Sequence, residues 1–370
     1  MENKTIDMAE KATVNAAASA PSVAPPTRKK NKFFTTEFFD KWKAWLYLLP
    51  ALILLAVFTV YPIFNTLKIA FLEGYSSAAL EGKVTYRFGL GNFSSALEYT
   101  EDTVNIVTGE VVKGTCEFID CMKNTFILCF ITVPLSTILA LIIAVCLNSI
   151  KFLRRFLQTI FFMPYVTNSI AIGMVFMAMF SVIGVVEDPI TGSIRGSTSV
   201  GIINNILWKL GIEPINWMSE GSEYWHNMIV LIIYIIWNAL PFKILILLGG
   251  LQNVNKQYYE AAKIDSTPRL RVFTRITVPL LSPMIAYVVI TGFIGGFKEY
   301  SSVIGIFGDQ AITKGGDSVN TIVGYIYRCL GNDGMSPRYG EASAAALILF
   351  GIIFLVTMVN LYVSNKKTHY

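Results

Sequence analysis

Six long apolar stretches constrain this chain more than any other feature, because each is long enough to cross a membrane. A helix needs about 20 mostly apolar residues to span a hydrocarbon core of roughly 30 Å. Pro134 interrupts the second stretch, and Pro279 and Pro283 interrupt the fifth, which leaves the ends of those two spans open. The sequence therefore predicts an all-α membrane protein with six transmembrane helices: Trp45–Phe71, Asn124–Leu147, Leu157–Ile183, Asn227–Leu251, Val278–Phe297 and Ala342–Val363.

The composition agrees with this interpretation. Of the 370 residues, 54% are hydrophobic and 15% are charged. Soluble domains average roughly 45–50% hydrophobic residues and about 25% charged residues. The net charge of +5 is too small to indicate a nucleic-acid partner. Two histidines and five cysteines, without metal-type spacing, predict no zinc site and leave little room for histidine catalysis.

The distribution of Lys and Arg predicts the orientation, because cytoplasmic connections are enriched in these residues. Basic residues cluster before the first span, after the second, after the fourth and after the last, whereas the other three connections are longer and more acidic. Both termini are therefore predicted to be cytoplasmic, and the first span is predicted to be retained rather than cleaved. The basic residues are Arg28, Lys29, Lys30, Lys32, Lys41, Lys43, Lys151, Arg154, Arg155, Lys256, Lys263, Arg269, Arg271, Arg275, Lys366 and Lys367.

Three regions follow from these patterns. Residues 1–44 form a cytoplasmic N-terminal tail, which is predicted to be largely disordered and then amphipathic. The aromatic residues near its end suit either an interfacial helix or an aromatic belt at the headgroups. Residues 45–363 form the transmembrane domain, with a cytoplasmic loop at 253–275, and residues 364–370 form a C-terminal tail.

The loop at 253–275 predicts two short helices. The first spans Lys256–Ile264 and begins after Asn255, a favourable N-cap residue. Asp265 and Ser266 form the turn, and the second helix is predicted to begin with Thr267 as N-cap and Pro268 at its first position. Such a pair suits docking into a groove of a partner protein, although propensity alone equally allows a solvated connector.

The sequence of this loop carries a family resemblance. The run E-A-A-K-I-D-S, followed by I-T-V-P-L-L-S-P, resembles the EAA loop of permease subunits in binding-protein-dependent ABC importers, and is closest to the maltose-type sugar permeases. Glu260, Ala261, Ala262 and Asp265 occupy the motif's E, A, A and D positions. Ser266 stands where the family has glycine, and because serine enters positive φ only at a cost, the turn is open to a different shape.

Further segments resemble the same family in the same order. Phe88–Phe93 resembles the approach to the second span, Gly201–Asn204 with Pro214–Trp217 resembles the external loop after the third, and Tyr339–Ala344 resembles the approach to the last. The resemblance covers nearly the whole chain. It implies the transmembrane domain of a type I ABC importer in a bacterial cell membrane, with the loop at 253–275 acting as the coupling loop.

The resemblance also implies partners. A second homologous permease subunit, two ATP-binding ATPase subunits and an extracytoplasmic solute-binding protein are expected, together with membrane lipid. The chain contains no G-x-x-x-x-G-K-[ST] phosphate-binding motif. ATP is therefore expected to be used by the partner subunits, and neither a catalytic residue nor a cofactor is expected in this chain.

Polar residues at membrane depth are candidates for the solute path, because they are expensive to bury there. The fourth span carries Trp237, Asn238, Ala239, Phe242 and Lys243, and by resemblance this stretch contributes to a small sugar site. The fifth span contributes three more candidates at its end: Gly295, Gly296 and Glu299.

The two lysines of this region have open interpretations. Lys243 is predicted either to pair with Glu299 as a buried ion pair, or to snorkel, or to face the solute. Lys298 points either to water at the outer interface or to the solute. If either faces the solute, an anionic sugar such as a uronate or a sugar phosphate becomes the alternative cargo.

Two further questions stay open at the sequence level. Cys116 and Cys121 either form an external disulfide or remain free thiols. An ion-coupled secondary carrier is the competing functional class, although no internal repeat is evident. A membrane enzyme is a weaker alternative, because paired acidic residues or a Ser/Lys dyad within the spans are missing from the sequence.

Overall fold

The computed structural model describes residues 36–75, 86–99, 103–104, 111–112, 116–150, 154–183, 186–187, 194–195, 199–218, 222–308, 319–332 and 337–367. The predicted tail therefore lies largely outside the described residues, as do residues 368–370 at the other end. The chain forms two compact units, Met1–Ile63 and Phe64–Tyr370. Within the described residues the secondary structure is predominantly helical.

The helices follow the predicted apolar stretches. Their bounds are α1 Thr36–Leu55, α2 Tyr61–Ala70, α3 Gly91–Ala96, α4 Glu117–Ser149, α5 Arg154–Val166, α6 Ser169–Phe180, α7 Ile202–Lys209, α8 Tyr224–Asn253, α9 Lys256–Ile264, α10 Arg269–Val272, α11 Val278–Leu280, α12 Ser282–Phe297, α13 Ser301–Phe307, α14 Ile322–Tyr327 and α15 Tyr339–Lys367. π-Helical turns occupy Ala56–Val60, Phe273–Thr277 and Arg328–Asn332.

Short antiparallel strand pairs lie in the connections between the helices. Strand β1 (Leu72–Glu73) pairs with β2 (Arg87–Phe88), and β3 (Thr103–Val104) pairs with β4 (Val111–Val112). Strand β5 (Val182–Ile183) pairs with β8 (Ser199–Val200), and β6 (Val186–Glu187) pairs with β7 (Ile194–Arg195). Each strand is two residues long, so these pairs shape loops and do not form a layer of their own.

Four helical segments are long and apolar enough to cross a membrane: Trp45–Ala70, Glu117–Ser149, Tyr224–Asn253 and Tyr339–Ser364. Two further bent pairs bring the number of described candidate spans to 6 if each pair is one span. Helix α4 continues through Pro134 without a break. Neighbouring helices can compensate a proline inside a membrane helix, so the second predicted span is one continuous helix.

The third predicted span is not one straight helix. Helices α5 and α6 meet at an angle of 100°. Asn168 has extended backbone angles, and its side chain accepts a hydrogen bond of 2.9 Å from the Ile170 backbone N–H, which makes it the N-cap of α6. Hydropathy summed along the stretch could not distinguish this broken span from a straight one, because both halves are apolar.

The fifth span is also bent, at the position where its prolines predicted an interruption. The helical segment Arg269–Leu280 meets α12 at 69°. Pro279 lies two residues before the joint, and Pro283 lies in the first turn of α12, where the missing proline N–H costs little. Leu281 forms the joint and is buried, with 1% of its surface exposed.

Three hydrophobic clusters hold Phe64–Tyr370 together. One packs α4 against α12, α14 and α15, and it is rich in aromatic rings, including Phe118 and Phe297. A second joins α8 to α4, α6 and α13, centred on the buried ring of Tyr234. The third packs α4 against α8 and the start of α12 through small residues, including Ala140 and Ala144. Together these contacts place α4, α8 and α12 side by side around the candidate site.

Two asparagines anchor the connections that contain α3 and α7. Asn92 Nδ2 donates to the carbonyls of Ala70 and Leu72, each at 3.0 Å. Asn204 is fully buried and bonds both the N–H and the C=O of Ile215, at 3.1 and 3.0 Å. Both asparagines belong to the segments singled out by sequence, and each one supplies hydrogen bonds that the loop backbone cannot make within itself.

Candidate functional site

The cytoplasmic loop contains the predicted first helix with the predicted bounds. Helix α9 spans Lys256–Ile264, and the Asn255 side chain accepts a hydrogen bond of 3.0 Å from the Gln257 backbone N–H. Ala262 is the one apolar residue of α9 that is buried. The Tyr259 hydroxyl lies 3.3 Å from Thr277 Oγ1, which links α9 to the π-helical turn before α11.

The turn after α9 preserves a glycine-type shape without glycine. Ser266 has φ of 51° and is the one non-glycine residue with positive φ among the described residues. Its N–H donates to Lys263 O at 3.1 Å, and the Thr267 N–H donates to Ala262 O at 2.9 Å. These two bonds define a Schellman motif. The serine therefore adopts the conformation that glycine would take, at an energetic cost.

The second helix differs from its prediction. Pro268, rather than Thr267, is the residue before the helix, and α10 begins at Arg269. Pro268 has extended angles and provides no side-chain cap, so the start moves by one residue. Helix α10 does not stop as a short separate helix, because the π-helical turn Phe273–Thr277 carries the chain into α11.

The tips of the two loop helices expose apolar side chains. Ile264 is 84% exposed and Leu270 is 75% exposed. Glu260, Ala261 and Asp265 are exposed as well. An exposed apolar pair on a rigid helix–turn–helix is suited to burial against another protein.

A cavity of about 440 Å³ lies among α4, α5, α6, α8 and α12. Seven of the eight residues predicted for the solute path line this cavity: Asn238, Ala239, Phe242, Lys243, Gly295, Gly296 and Glu299. Two separate segments of the chain thus meet at one cavity. The volume is within the range of small-ligand sites in proteins.

Trp237 is the predicted residue that does not line the cavity. Its indole packs against Phe176 of α6, with ring centroids 5.3 Å apart. Successive helical residues point about 100° apart, so Trp237 lies about 200° around the helix from Ala239, which lines the cavity. Trp237 therefore belongs to the packing between α6 and α8.

The cavity also contains polar residues that sequence reasoning missed. Thr132, Ser136, Tyr165, Ser169 and Thr291 line it. Polar residues one helical turn apart within the apolar α4, such as Thr132 and Ser136, were the available signal. Tyr165 stacks on Phe242 with a centroid distance of 6.1 Å and an interplanar angle of 20°. The lining therefore combines aromatic faces with hydroxyl and amide groups.

Lys243 has a different partner from the one considered at the sequence level. Its ammonium donates to Val133 O at 3.1 Å, Ser136 Oγ at 2.7 Å and Thr137 Oγ1 at 3.0 Å. The predicted ion pair with Glu299 is wrong for the described part of the chain, where no carboxylate lies within 4.0 Å of this ammonium. The side chain is 4% exposed and does not snorkel to water. An ammonium has three N–H donors, and all three are engaged by α4.

Glu299 also lines the cavity and follows the end of α12. Its Oε1 atom accepts hydrogen bonds from the backbone N–H of Ser302 at 3.0 Å and from the Ser302 hydroxyl at 2.8 Å. These bonds hold the carboxylate at the start of α13. Within the described residues no donor bonds Oε2, which leaves that oxygen able to accept a hydrogen bond from a solute. Lys298 is exposed and caps the end of α12.

The glycines differ in how much space surrounds them. A Cβ built on Gly295 meets no atom within 4 Å, whereas one on Gly296 would lie 2.8 Å from Cys129 Sγ. Gly295 therefore opens the cavity wall, and Gly296 allows α12 to approach α4 closely.

All five cysteines are free. Of the two alternatives for Cys116 and Cys121, unpaired thiols are therefore correct, and both side chains are buried. Burial also raises the pKa of the Cys329 thiol, which lies in the same hydrophobic cluster. No group of three or more metal-ligating residues occurs within the described residues.

The fold is that of a helical membrane protein with a helix–turn–helix loop between two of its candidate spans. The family model for the binding-protein-dependent transport system inner membrane component matches residues 136–369. Because this match covers more than half of the chain, the chain belongs to that family. It is a multi-pass protein of the inner membrane.

Individual relatives agree with this family. The arabinooligosaccharides transport system permease protein AraP of Halalkalibacterium halodurans is 29% identical over 344 residues, covering 92% of this chain and 93% of the relative. The lactose transport system permease protein LacF of Rhizobium radiobacter is 27% identical over 326 residues, covering 87% of this chain and 94% of the relative.

A solved structure shares the fold. A chain from a bacterial ABC transporter involved in the import of the acidic polysaccharide alginate superposes with a TM-score of 0.68 at 20% identity. The alignment covers 90% of this chain and 98% of that chain. The predicted fold class, the transmembrane domain of an ABC importer, is therefore confirmed.

Proposed function

We propose that this chain is the transmembrane subunit of an ATP-driven importer that moves a sugar or oligosaccharide by alternating access. The named relatives are permeases for arabinooligosaccharides and lactose, which supports a carbohydrate cargo. Separate ATPase subunits supply the ATP hydrolysis, since this chain carries no phosphate-binding loop of its own.

The observation that carries this proposal is the connection between the loop and the cavity. Helix α8 carries Asn238, Phe242 and Lys243 and ends at Asn253, where the coupling loop begins. The loop's other end continues through α10 and α11 into α12, which carries Gly295 and leads to Glu299. Both ends of the loop are therefore joined to walls of the cavity, and a displacement of the loop would move those walls.

The exposed side chains of the loop define its proposed partner contact. Ile264 and Leu270 lodge in a cleft of an ATPase subunit, where their apolar surfaces leave water. Closure of two ATPase subunits then draws the loop of this chain toward the loop of a second, homologous permease. That motion opens the cavity outward to a solute delivered by an extracytoplasmic binding protein, and ATP hydrolysis reverses it.

The lining of the cavity supports a neutral sugar. Flat apolar sugar faces stack on aromatic rings such as Phe242, and sugar hydroxyls bond amides and carboxylates such as Asn238 and Glu299. Lys243 argues against the anionic alternative, because its three N–H groups already bond α4. A solute anion would have to break one of those bonds to reach the ammonium.

Reconstitution of the complete assembly in proteoliposomes tests the function. We expect uptake of a labelled oligosaccharide that requires ATP, the ATPase subunits and the binding protein. Uptake by this chain alone on an ion gradient would establish the secondary carrier instead.

A matched pair of variants tests the partner contact. Ile264→Asp should release the ATPase subunit during purification, because it places a charge in an apolar interface. Ile206→Asp, on the 51% exposed Ile206 of α7, is the control and should retain the ATPase subunit.

A further inference from the structure

A second cavity of about 430 Å³ lies between the beginning of the fifth span and the end of the last helix. It shares no lining residue with the candidate solute cavity. Its wall is mostly aliphatic and consists of Val278, Pro279, Ser282, Ile285, Ala286, Val289, Ile290, Asn360, Val363 and Ser364.

The most polar side chain of this groove, that of Asn360, is hydrogen-bonded within its own helix. Asn360 Nδ2 donates a hydrogen bond of 2.9 Å to Val356 O. An amide engaged in this way adds little polarity to the groove. The groove therefore offers an apolar surface rather than a site for a polar solute.

Two cations flank one end of the groove. Arg275 precedes Val278 and Pro279 by three and four residues, and Lys366 follows Val363 by three. Each cation therefore lies within about one helical turn along the chain from a residue of the groove wall, Lys366 in α15 and Arg275 in the π-helical turn that leads into α11. Both side chains are exposed, and neither pairs with a carboxylate among the described residues.

We propose that this groove binds an anionic phospholipid, with an acyl chain along its aliphatic wall and the headgroup phosphate between Arg275 and Lys366. An apolar groove that ends in two cations matches the two parts of such a lipid. The basic clusters of the sequence predict that this end lies at the cytoplasmic surface, the depth at which a headgroup is found.

The position of the groove gives the lipid a mechanical role. Pro279 and Ser282, both in the groove wall, lie on either side of Leu281, where the fifth span bends by 69°. An acyl chain in the groove contacts both arms of this bend and the last helix at once. A bound lipid therefore stabilises the angle between α12 and the helical segment that connects the coupling loop to it.

Native mass spectrometry of the purified assembly tests the site, with phosphatidylglycerol and phosphatidylcholine as probes. The unmodified protein should retain phosphatidylglycerol preferentially. The double variant Arg275→Gln and Lys366→Gln should lower that preference by roughly thirtyfold, since each cation near an anionic lipid contributes about a fivefold step in affinity and the two steps multiply. The matched control is Lys209→Gln with Lys298→Gln, which removes two exposed cations elsewhere and should leave the preference unchanged.

A groove-filling variant separates the acyl chain from the headgroup. Ala286→Phe should lower the retention of both lipids, because it occupies the groove, whereas the double glutamine variant affects phosphatidylglycerol alone. Melting temperatures of each variant verify that it folds. Equal retention of the two lipids by the unmodified protein would overturn the proposal, as would an unchanged preference in the double variant. Cross-linking of Ala286→Cys to another protein subunit, with no lipid retained, would also overturn it.

Discussion

The Lys243 ammonium donates a hydrogen bond of 2.7 Å to Ser136 Oγ and so joins α8 to α4 at the wall of the candidate solute cavity. Two other acceptors on α4, Val133 O and Thr137 Oγ1, complete the set. Within the described residues no carboxylate offsets this buried charge. Lys243 therefore connects α8 to α4 through hydrogen bonds to neutral oxygen atoms.

We expect Lys243→Ala to lower the free energy of unfolding by about 2–3 kcal/mol, because it removes a buried side chain and three hydrogen bonds. Thermal denaturation in detergent measures this. The control Lys298→Ala changes an exposed side chain and should stay within about 0.5 kcal/mol. Neutral and anionic sugars should lose uptake in the same proportion in Lys243→Ala; a selective loss of the anionic sugar would establish that the ammonium acts on the cargo.

The paired glycines of α12 should respond differently to substitution. Gly295→Leu should fold normally and reduce sugar uptake by about tenfold or more, because the new side chain enters open space in a cavity sized for a small ligand. Uptake assays with melting temperatures measure both effects. Normal uptake in Gly295→Leu would remove this cavity from the transport path.

Gly296→Ala should instead destabilise the fold by about 1–3 kcal/mol, since its Cβ would lie 2.8 Å from Cys129 Sγ. The double variant Gly296→Ala and Cys129→Ala removes the sulfur and should recover most of that loss. A double-mutant cycle of melting temperatures measures the coupling, and additive effects would contradict the close approach of α12 to α4.

Ser266→Gly should stabilise the coupling loop by roughly 0.5–1 kcal/mol, because glycine adopts φ of 51° without the strain that serine bears. Hydrogen exchange of the loop amides, read by mass spectrometry, reports this local change. Asp265→Gly is the neighbouring control: Asp265 has φ of −75°, so glycine there should loosen the loop. Equal effects of the two glycines would argue against the left-handed turn.

Glu260→Lys should abolish the stimulated ATPase activity of the assembly while membrane insertion remains intact. Glu260 is exposed on α9, so its replacement disturbs the proposed docking surface and not the core. Membrane fractionation and ATPase assays measure the two properties separately. The control is Gln252→Lys, which adds a cation at an exposed position near the end of α8, outside the docking surface, and should retain ATPase stimulation. Normal stimulation in Glu260→Lys would contradict the coupling role of the loop.

Local sequence accounts for the parts of this protein that depend on neighbouring residues. Asn255 and the helix formers behind it determine α9 and its bounds, because a cap and a propensity act within one or two turns. The apolar stretches likewise determine where the chain crosses the membrane, since about 20 consecutive apolar residues suffice for a span. Seven of the predicted path residues also meet at one cavity, which the family resemblance had implied.

Tertiary contacts decided the rest. Three features show this: the 100° bend between α5 and α6, the packing of Trp237 on Phe176 and the attachment of Lys243 to α4. In each case the neighbouring residues alone allow more than one arrangement. Hydropathy measures how much apolar surface a segment carries, but not the direction in which a side chain points. That direction depends on acceptors and rings far away along the chain, as with Lys243 and Ser136, which the sequence separates by 107 positions.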